Sequence, residues 1–145
     1  MEPVIHNKVI VVGTSHHNAL GIVRSLGEFG CEVFLIIISG RESFVTKSRY
    51  IKEFWYAHSG QRVIDLLLNE FNDETERPII IPADDYSTSI IDGSLHMLDE
   101  KFVVPSIRNE QYAIVDKMDK TTMNELAEKH GFLVPKSLVL NLGEV

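Results

Sequence analysis

The chain has 145 residues, 44% hydrophobic and 24% charged, a composition that suits one globular core and is far from that of a disordered segment. Its 21 acidic residues against 14 basic ones, a formal net charge of −7, argue against a sequence-independent grip on nucleic acid or on an anionic membrane. A small-molecule partner is expected instead, with self-association left open.

Residues Lys8 to Val12 are β-branched and continuously apolar after the lysine, the pattern of a central parallel strand covered on both faces. Gly13 ends it. From Asn18 onward, Ala19, Ile22, Val23 and Leu26 recur at helical spacing, and Gly30 stands where a helix would end. Glu32 to Ile38 then reads as a second strand, completing a βαβ unit whose crossover is expected to be right-handed. Cys31, the single cysteine, excludes an intrachain disulfide and reads as a small buried hydrophobe. With no signal-like pattern at the N-terminus and apolar runs too short to cross a bilayer, a cytoplasmic location is expected.

Gly40 to Lys52 is polar, with Lys47, Arg49 and Lys52 close together, and Glu53 to Tyr56 suggests a short aromatic strand. Ile64, Leu67, Leu68 and Phe71 mark a helix over Gln61 to Phe71, followed by an apolar strand, Pro78 to Pro82. Asp84 or Asp85 can cap the next helix, which places Ile90, Ile91, Leu95 and Leu98 on one face although Gly93 weakens it by ~1 kcal/mol relative to alanine. A short strand over Phe102 to Val104 follows. Helical segments are then expected around Arg108 to Val115 and Lys120 to His130, with Gly131 as the stop and a further strand over Ser137 to Leu140. The chain ends at NLGEV as though cut.

The loop after the first strand is the first candidate site. A dinucleotide-binding fingerprint requires G-x-G-x-x-G there, so that bare backbone can approach a pyrophosphate. This sequence has Gly13, Thr14, Ser15, His16, His17 and Asn18, with the next glycine at Gly21 inside the helix, which argues against NAD or FAD and against an oxidoreductase. A helix N-terminus flanked by hydroxyl and imidazole groups remains, suited to a small anion; equally, Ser15 or Asn18 simply caps the helix. Adjacent His16 and His17 are expected to point apart, and with no third ligand at suitable spacing no metal site is expected. Asp84 and Asp85 lie just past a strand end, where open α/β sheets form ligand crevices, and also where a helix needs a cap. Lys47, Arg49 and Lys52 either hold an anionic substrate or form a solvated loop.

The stretch VDKMDKTTMNELAEKHGFLVPKS, Val115 to Ser137, resembles the segment that leads into the nucleotide domain of the ATP-grasp superfamily. Asp119, Lys120, Gly131, Val134 and Pro135 carry that match. The βαβ opening, KSRY at Lys47 to Tyr50, the strand-Pro-x-Asp-Asp at Ile79 to Asp85 and FVVPS at Phe102 to Ser106 fit it in order and spacing. Together these resemble the pre-ATP-grasp domain of carbamoyl-phosphate-synthase-like and amino-acid-ligase-like enzymes.

The resemblance implies an α/β, Rossmann-like doubly wound sheet, mainly parallel, with helices on both faces over residues 1–116, and the start of an ATP-grasp domain over 117–145. It implies an ATP-dependent carboxylate–amine ligase working through an acyl phosphate. In that reading Gly13 to Asn18, Asp84, Asp85 and Arg49 face a carboxylate or amine substrate, and Lys120 reaches ATP phosphate. The glycine-rich lid and the acidic Mg ligands fall after Pro135 in the family, so ATP and Mg are expected only with the downstream ATP-grasp domain, and the 145-residue chain alone is expected to be inactive. The competing expectation is a stand-alone Rossmann-like binding or regulatory module.

Overall fold

The computed structural model describes residues 6–136. The chain divides into two compact units, Met1–Val115 and Asp116–Val145. The first unit is built on a four-stranded, all-parallel sheet in the order β3-β2-β1-β4, formed by β1 (Val9–Thr14), β2 (Val33–Ile38), β3 (Ile51–Ala57) and β4 (Ile79–Pro82). Helices cover both faces, which gives the Rossmann-like α/β class expected from the sequence.

Strand alternation sorts the apolar side chains into two cores. Ile10, Val12, Phe34, Ile36 and Ile80 face one way, against Val63, Ile64, Leu66 and Leu67 of α2 (Gly60–Glu70) and Ile91 of α3 (Asp85–Asp92). Val11, Val33, Leu35 and Ile37 face the other, against Ala19 and Val23 of α1 (His17–Glu28) and Val45 of the 3-10 turn Phe44–Lys47. β1 and β2 are buried on both faces because a helix lies over each. β3 is an edge strand, longer than its expected Glu53 to Tyr56 core, and charges such as Lys52 and Glu53 on its exposed side discourage pairing with another chain.

Helix α1 closes as its sequence suggests. Gly30 has φ +81°, its N–H donates to the Gly27 carbonyl and the Cys31 N–H to the Leu26 carbonyl, the two bonds of a Schellman motif. Cys31 is half-buried beside Leu26 in the second core, so the residue read as a buried hydrophobe is the apolar partner that follows this cap. The same pair of bonds closes α6 (Lys120–Lys129) at Gly131, φ +79°.

Three expectations are corrected. The helix holding Ile90, Ile91, Leu95 and Leu98 is two pieces, α3 and α4 (Leu95–Leu98), and a Cβ on the intervening Gly93 would lie 2.9 Å from both the Ser89 carbonyl oxygen and the Tyr112 ring. Phe102 to Val104 contributes a single parallel bridge, Val103 to Ile79, and Pro105 beyond it has no N–H to extend a ladder. Helix α5 occupies Ala113–Met118 rather than Arg108 to Val115, because Arg108, Asn109 and Tyr112 have φ of 55°, 58° and 66°. No right-handed helix accommodates those angles.

The fully buried Asp92 receives the N–H groups of Ile114 (3.1 Å) and Val115 (3.0 Å) on Oδ2 and so caps α5; its Oδ1 has no hydrogen-bond partner among the described residues. The strand expected over Ser137 to Leu140 lies outside the described residues. No helix among them is long and apolar enough to cross a membrane.

Candidate functional site

In an open parallel sheet a crevice forms where neighbouring strands send their chains to opposite sides, at the carboxyl ends of those strands. Here that point lies between β1 and β4: from β1 the chain moves to β2 and β3, and β4 returns to the other side of β1. Thr14, His16, Asn18, Asp84, Asp85 and Tyr86 line a crevice of about 360 Å³ at this edge. Thr14, His16 and Asn18, at the junction of β1 and α1, and the Asp84–Asp85 pair, 70 positions after Thr14, therefore meet in one place, whereas Gly13, Ser15 and His17 do not line it.

Asp84 joins the two loops. Its Oδ2 accepts from the Thr14 N–H (2.6 Å) and the Thr14 hydroxyl (2.8 Å), and its Oδ1 accepts from the Ser87 N–H (2.8 Å). Ser87 Oγ in turn accepts from the Asp84 N–H at 3.2 Å, completing a capping box at the start of α3. Burial pushes the Asp84 carboxyl up, but the hydrogen bonds from Thr14 and Ser87 outweigh it and hold the group below the usual carboxylate range. Asp84 is thus the cap, while Asp85 is exposed in the first turn of α3 and lines the crevice.

Gly13 is buried and has a different role from contact with a ligand. A Cβ there would stand 2.8 Å from Ala83 Cβ and 3.3 Å from Asp84 Oδ2, so the missing side chain lets the β4–α3 corner close onto β1. The Thr14 amide, which a pyrophosphate would approach in a dinucleotide fold, is engaged by Asp84.

The capping expectation for α1 is also corrected. His16 is the N-cap, its Nδ1 accepting from the Asn18 N–H at 3.3 Å, and Asn18 lies inside the helix. Ser15 Oγ instead shares a hydrogen bond with Ser43 Oγ (2.8 Å). The His16 and His17 rings do not point apart: their centroids are 3.8 Å from each other and the planes are tilted by 37°. Among the described residues no group of three or more His, Cys, Asp or Glu side chains gathers as a metal site.

Arg49 does not join this constellation. It precedes Ile51, which pairs with Val33 at the amino end of β2, so about 17 Å of strand separates that end from the carboxyl edge. Its guanidinium donates to the Tyr50 hydroxyl at 2.9 Å and lies 4.9 Å from the centre of that ring, and the hydrogen bond to Tyr50 raises its pKa. Lys47 is exposed on the same stretch, and Lys52 forms an ion pair with Glu32.

Lys120 belongs to the second unit, where it is the exposed first residue of α6. Asp119 caps that helix, accepting from the N–H groups of Thr121 (2.9 Å) and Thr122 (3.1 Å), and hydrogen bonds from Thr122 and Thr121 hold its carboxyl low. The Asp-Lys pair opens a helix, as its resemblance implied.

Two residues of the crevice neighbourhood carried weak signals in the sequence. Tyr86 lines the wall directly after the Asp pair, a place that any residue following a strand end could fill. Ser43 is buried, caps the 3-10 turn through the Val45 N–H at 3.2 Å, and donates its own N–H to Tyr56 Oη at 3.2 Å. Its partner Ser15 is 28 residues earlier, beyond the reach of any local pattern.

No protein-family model matches the chain, and no curated protein does. Among solved structures, the fold is similar to that of the L-amino acid ligase from Bacillus licheniformis, with a TM-score of 0.63 and 11% sequence identity. The similarity covers 89% of this chain and 32% of that one, so the chain spans about a third of the ligase's length. At this identity the likeness is one of fold.

Proposed function

We propose that the chain is the substrate-side domain of an ATP-dependent carboxylate–amine ligase of the ATP-grasp kind. The carboxyl-edge crevice supports this most directly, because it lies at the switch point of a fold shared with an L-amino acid ligase and its wall is preformed by the Asp84 hydrogen bonds. In such a ligase ATP converts a carboxylate to an acyl phosphate, which an amine then attacks. By the family pattern the lid and the Mg ligands come after Pro135, so the nucleotide chemistry is assigned to a downstream ATP-grasp domain and the 145-residue chain is expected to turn over no ATP alone. Lys120 is assigned to ATP phosphate through its match to the family pattern.

The charges on the wall refine the substrate. The α1 terminus alone would favour an anion, but the carboxylates of Asp84 and Asp85 stand in the same crevice. They suit an ammonium group better than a carboxylate or a phosphate, so the amino end of an amino-acid substrate is assigned to Asp85, Asn18 and His16.

The test is amino-acid-dependent ADP release by the full polypeptide of the native gene across a panel of L-amino acids. Asp85→Asn and Asn18→Ala should raise KM for the amino acid about tenfold while KM for ATP stays unchanged, and Lys120→Ala should do the reverse. ADP release indifferent to every amino acid, or equal effects of all three variants on both constants, would overturn the proposal.

A further inference from the structure

The amino end of the sheet carries a second cleft, which the ligase reading leaves unused. It measures about 430 Å³ and is lined by Arg24, Glu28, Lys47, Ser48, Arg49 and Tyr50, a volume toward the lower end of the about 300–1,000 Å³ range of small-ligand sites. Three cations face one carboxylate there, in a chain whose net charge is −7. Among the described residues none of the three forms a salt bridge, whereas Lys8 and Lys52 are each paired.

The elements bring the three cations to one cleft, with Arg24 and Lys47 as exposed side chains on its rim. Arg24 projects from α1, and Lys47 ends the 3-10 turn that packs on that helix. Arg49 is fixed by its bond to Tyr50 Oη and by stacking on the Tyr50 ring. Tyr50 is fixed in turn by Gly27: a Cβ there would sit 2.3 Å from Tyr50 Cβ and Cγ, so the ring reaches this position only because α1 has no side chain beneath it. A guanidinium fork matches the oxygens of a phosphate, an ammonium adds a point charge, and the Ser48 hydroxyl can donate as well. With Arg49 and α1 both against the Tyr50 ring, the cleft offers charge and hydroxyl donors rather than a stacking surface for a nucleobase.

We infer that Arg24, Lys47 and Arg49 form an anion site for a small phosphorylated or diphosphate ligand, separate from the carboxyl-edge crevice. Arg49, expected from sequence to face the substrate, belongs to this site. The inference does not depend on the ligase reading, since it rests on a different edge of the sheet.

The probe is inorganic pyrophosphate, titrated into the isotope-labelled 145-residue chain at constant ionic strength, with sulfate and chloride as parallel arms. Saturable amide shifts confined to residues 47–50 and the second half of α1 are expected, with pyrophosphate binding at least tenfold tighter than chloride. Arg24→Gln and Arg49→Gln should each weaken binding about tenfold, Tyr50→Phe a few-fold by releasing Arg49, and the distant surface change Arg62→Gln not at all. Unchanged melting temperatures show that the exposed-residue variants fold. Shifts that fail to saturate, an equal response to chloride, or an equal loss in Arg62→Gln would each overturn the site.

Discussion

The two ends of one parallel sheet use polar residues in opposite ways. At the carboxyl edge, Thr14, Asp84 and Ser87 satisfy one another, and Gly13 lets the two loops close, so the crevice wall is rigid before any ligand arrives. At the amino edge, Arg24, Lys47 and Arg49 are positioned around a cleft and left without a counter-charge within salt-bridge distance among the described residues. Polar groups that satisfy one another shape a surface, and cations without a carboxylate partner present their charge to whatever binds. A residue's type does not reveal which role it has; its partners do.

The sharpest way to break this comparison is to remove the steric condition at the amino edge. Gly27→Val should destabilise the protein by about 2–3 kcal/mol in urea unfolding, since the new side chain overlaps the Tyr50 ring. Adding Tyr50→Gly, which removes Cβ as well as the ring, should return part of that loss, and a strictly additive double variant would mean that Gly27 and Tyr50 are not coupled.

At the carboxyl edge the corresponding change is Asp84→Ala, which removes the α3 cap and both Thr14 bonds and should cost about 1–2 kcal/mol at pH 7. Because the folded-state pKa of Asp84 is depressed, its contribution is fully present above the ordinary carboxylate value near 4 and is lost as pH falls through the lower folded value. The stability gap between wild type and variant should therefore hold from pH 5 to 8 and close in the acid range. A gap of the same size at pH 2 would show that the carboxylate charge is irrelevant.

The smallest effect should come from Ser15→Ala. It removes one hydroxyl pair with Ser43 and should lower stability by about 0.5–1 kcal/mol, the net worth of an ordinary hydrogen bond. A loss above 2 kcal/mol would give Ser15 the capping role that the structure assigns to His16.

The fold was largely legible in the sequence because its signals are local. The apolar runs at Val9 to Val12 and Val33 to Ile37 are buried on both faces, and the glycines expected to stop α1 and α6 do so. What was not legible depends on contacts between distant positions. Gly93 reads as a weak helix residue, yet the Tyr112 ring decides its place, and Arg108 to Tyr112 looks helical until the backbone angles are known. The candidate site divides the same way: Asp84 and Asp85 were found from their place after β4, whereas Arg49 could not be separated from them without the register of β3 on β2.

The buried Asp92 carboxylate governs how the chain leaves the first unit. Between Ile107 and Val115 three non-glycine residues occupy left-handed backbone, a conformation that costs on the order of 1 kcal/mol each, and one carboxylate oxygen grips the two amides that follow. This exit strap is also held by Asn109 Nδ2, which donates to Asp99 Oδ2 at 3.1 Å, and by the Tyr112 ring against Gly93. Its opening leaves the sheet untouched, so solvent deuterium should reach the amides of Ile114 and Val115 long before it reaches those of β1 and β2, and the strap becomes an unfolding unit of its own.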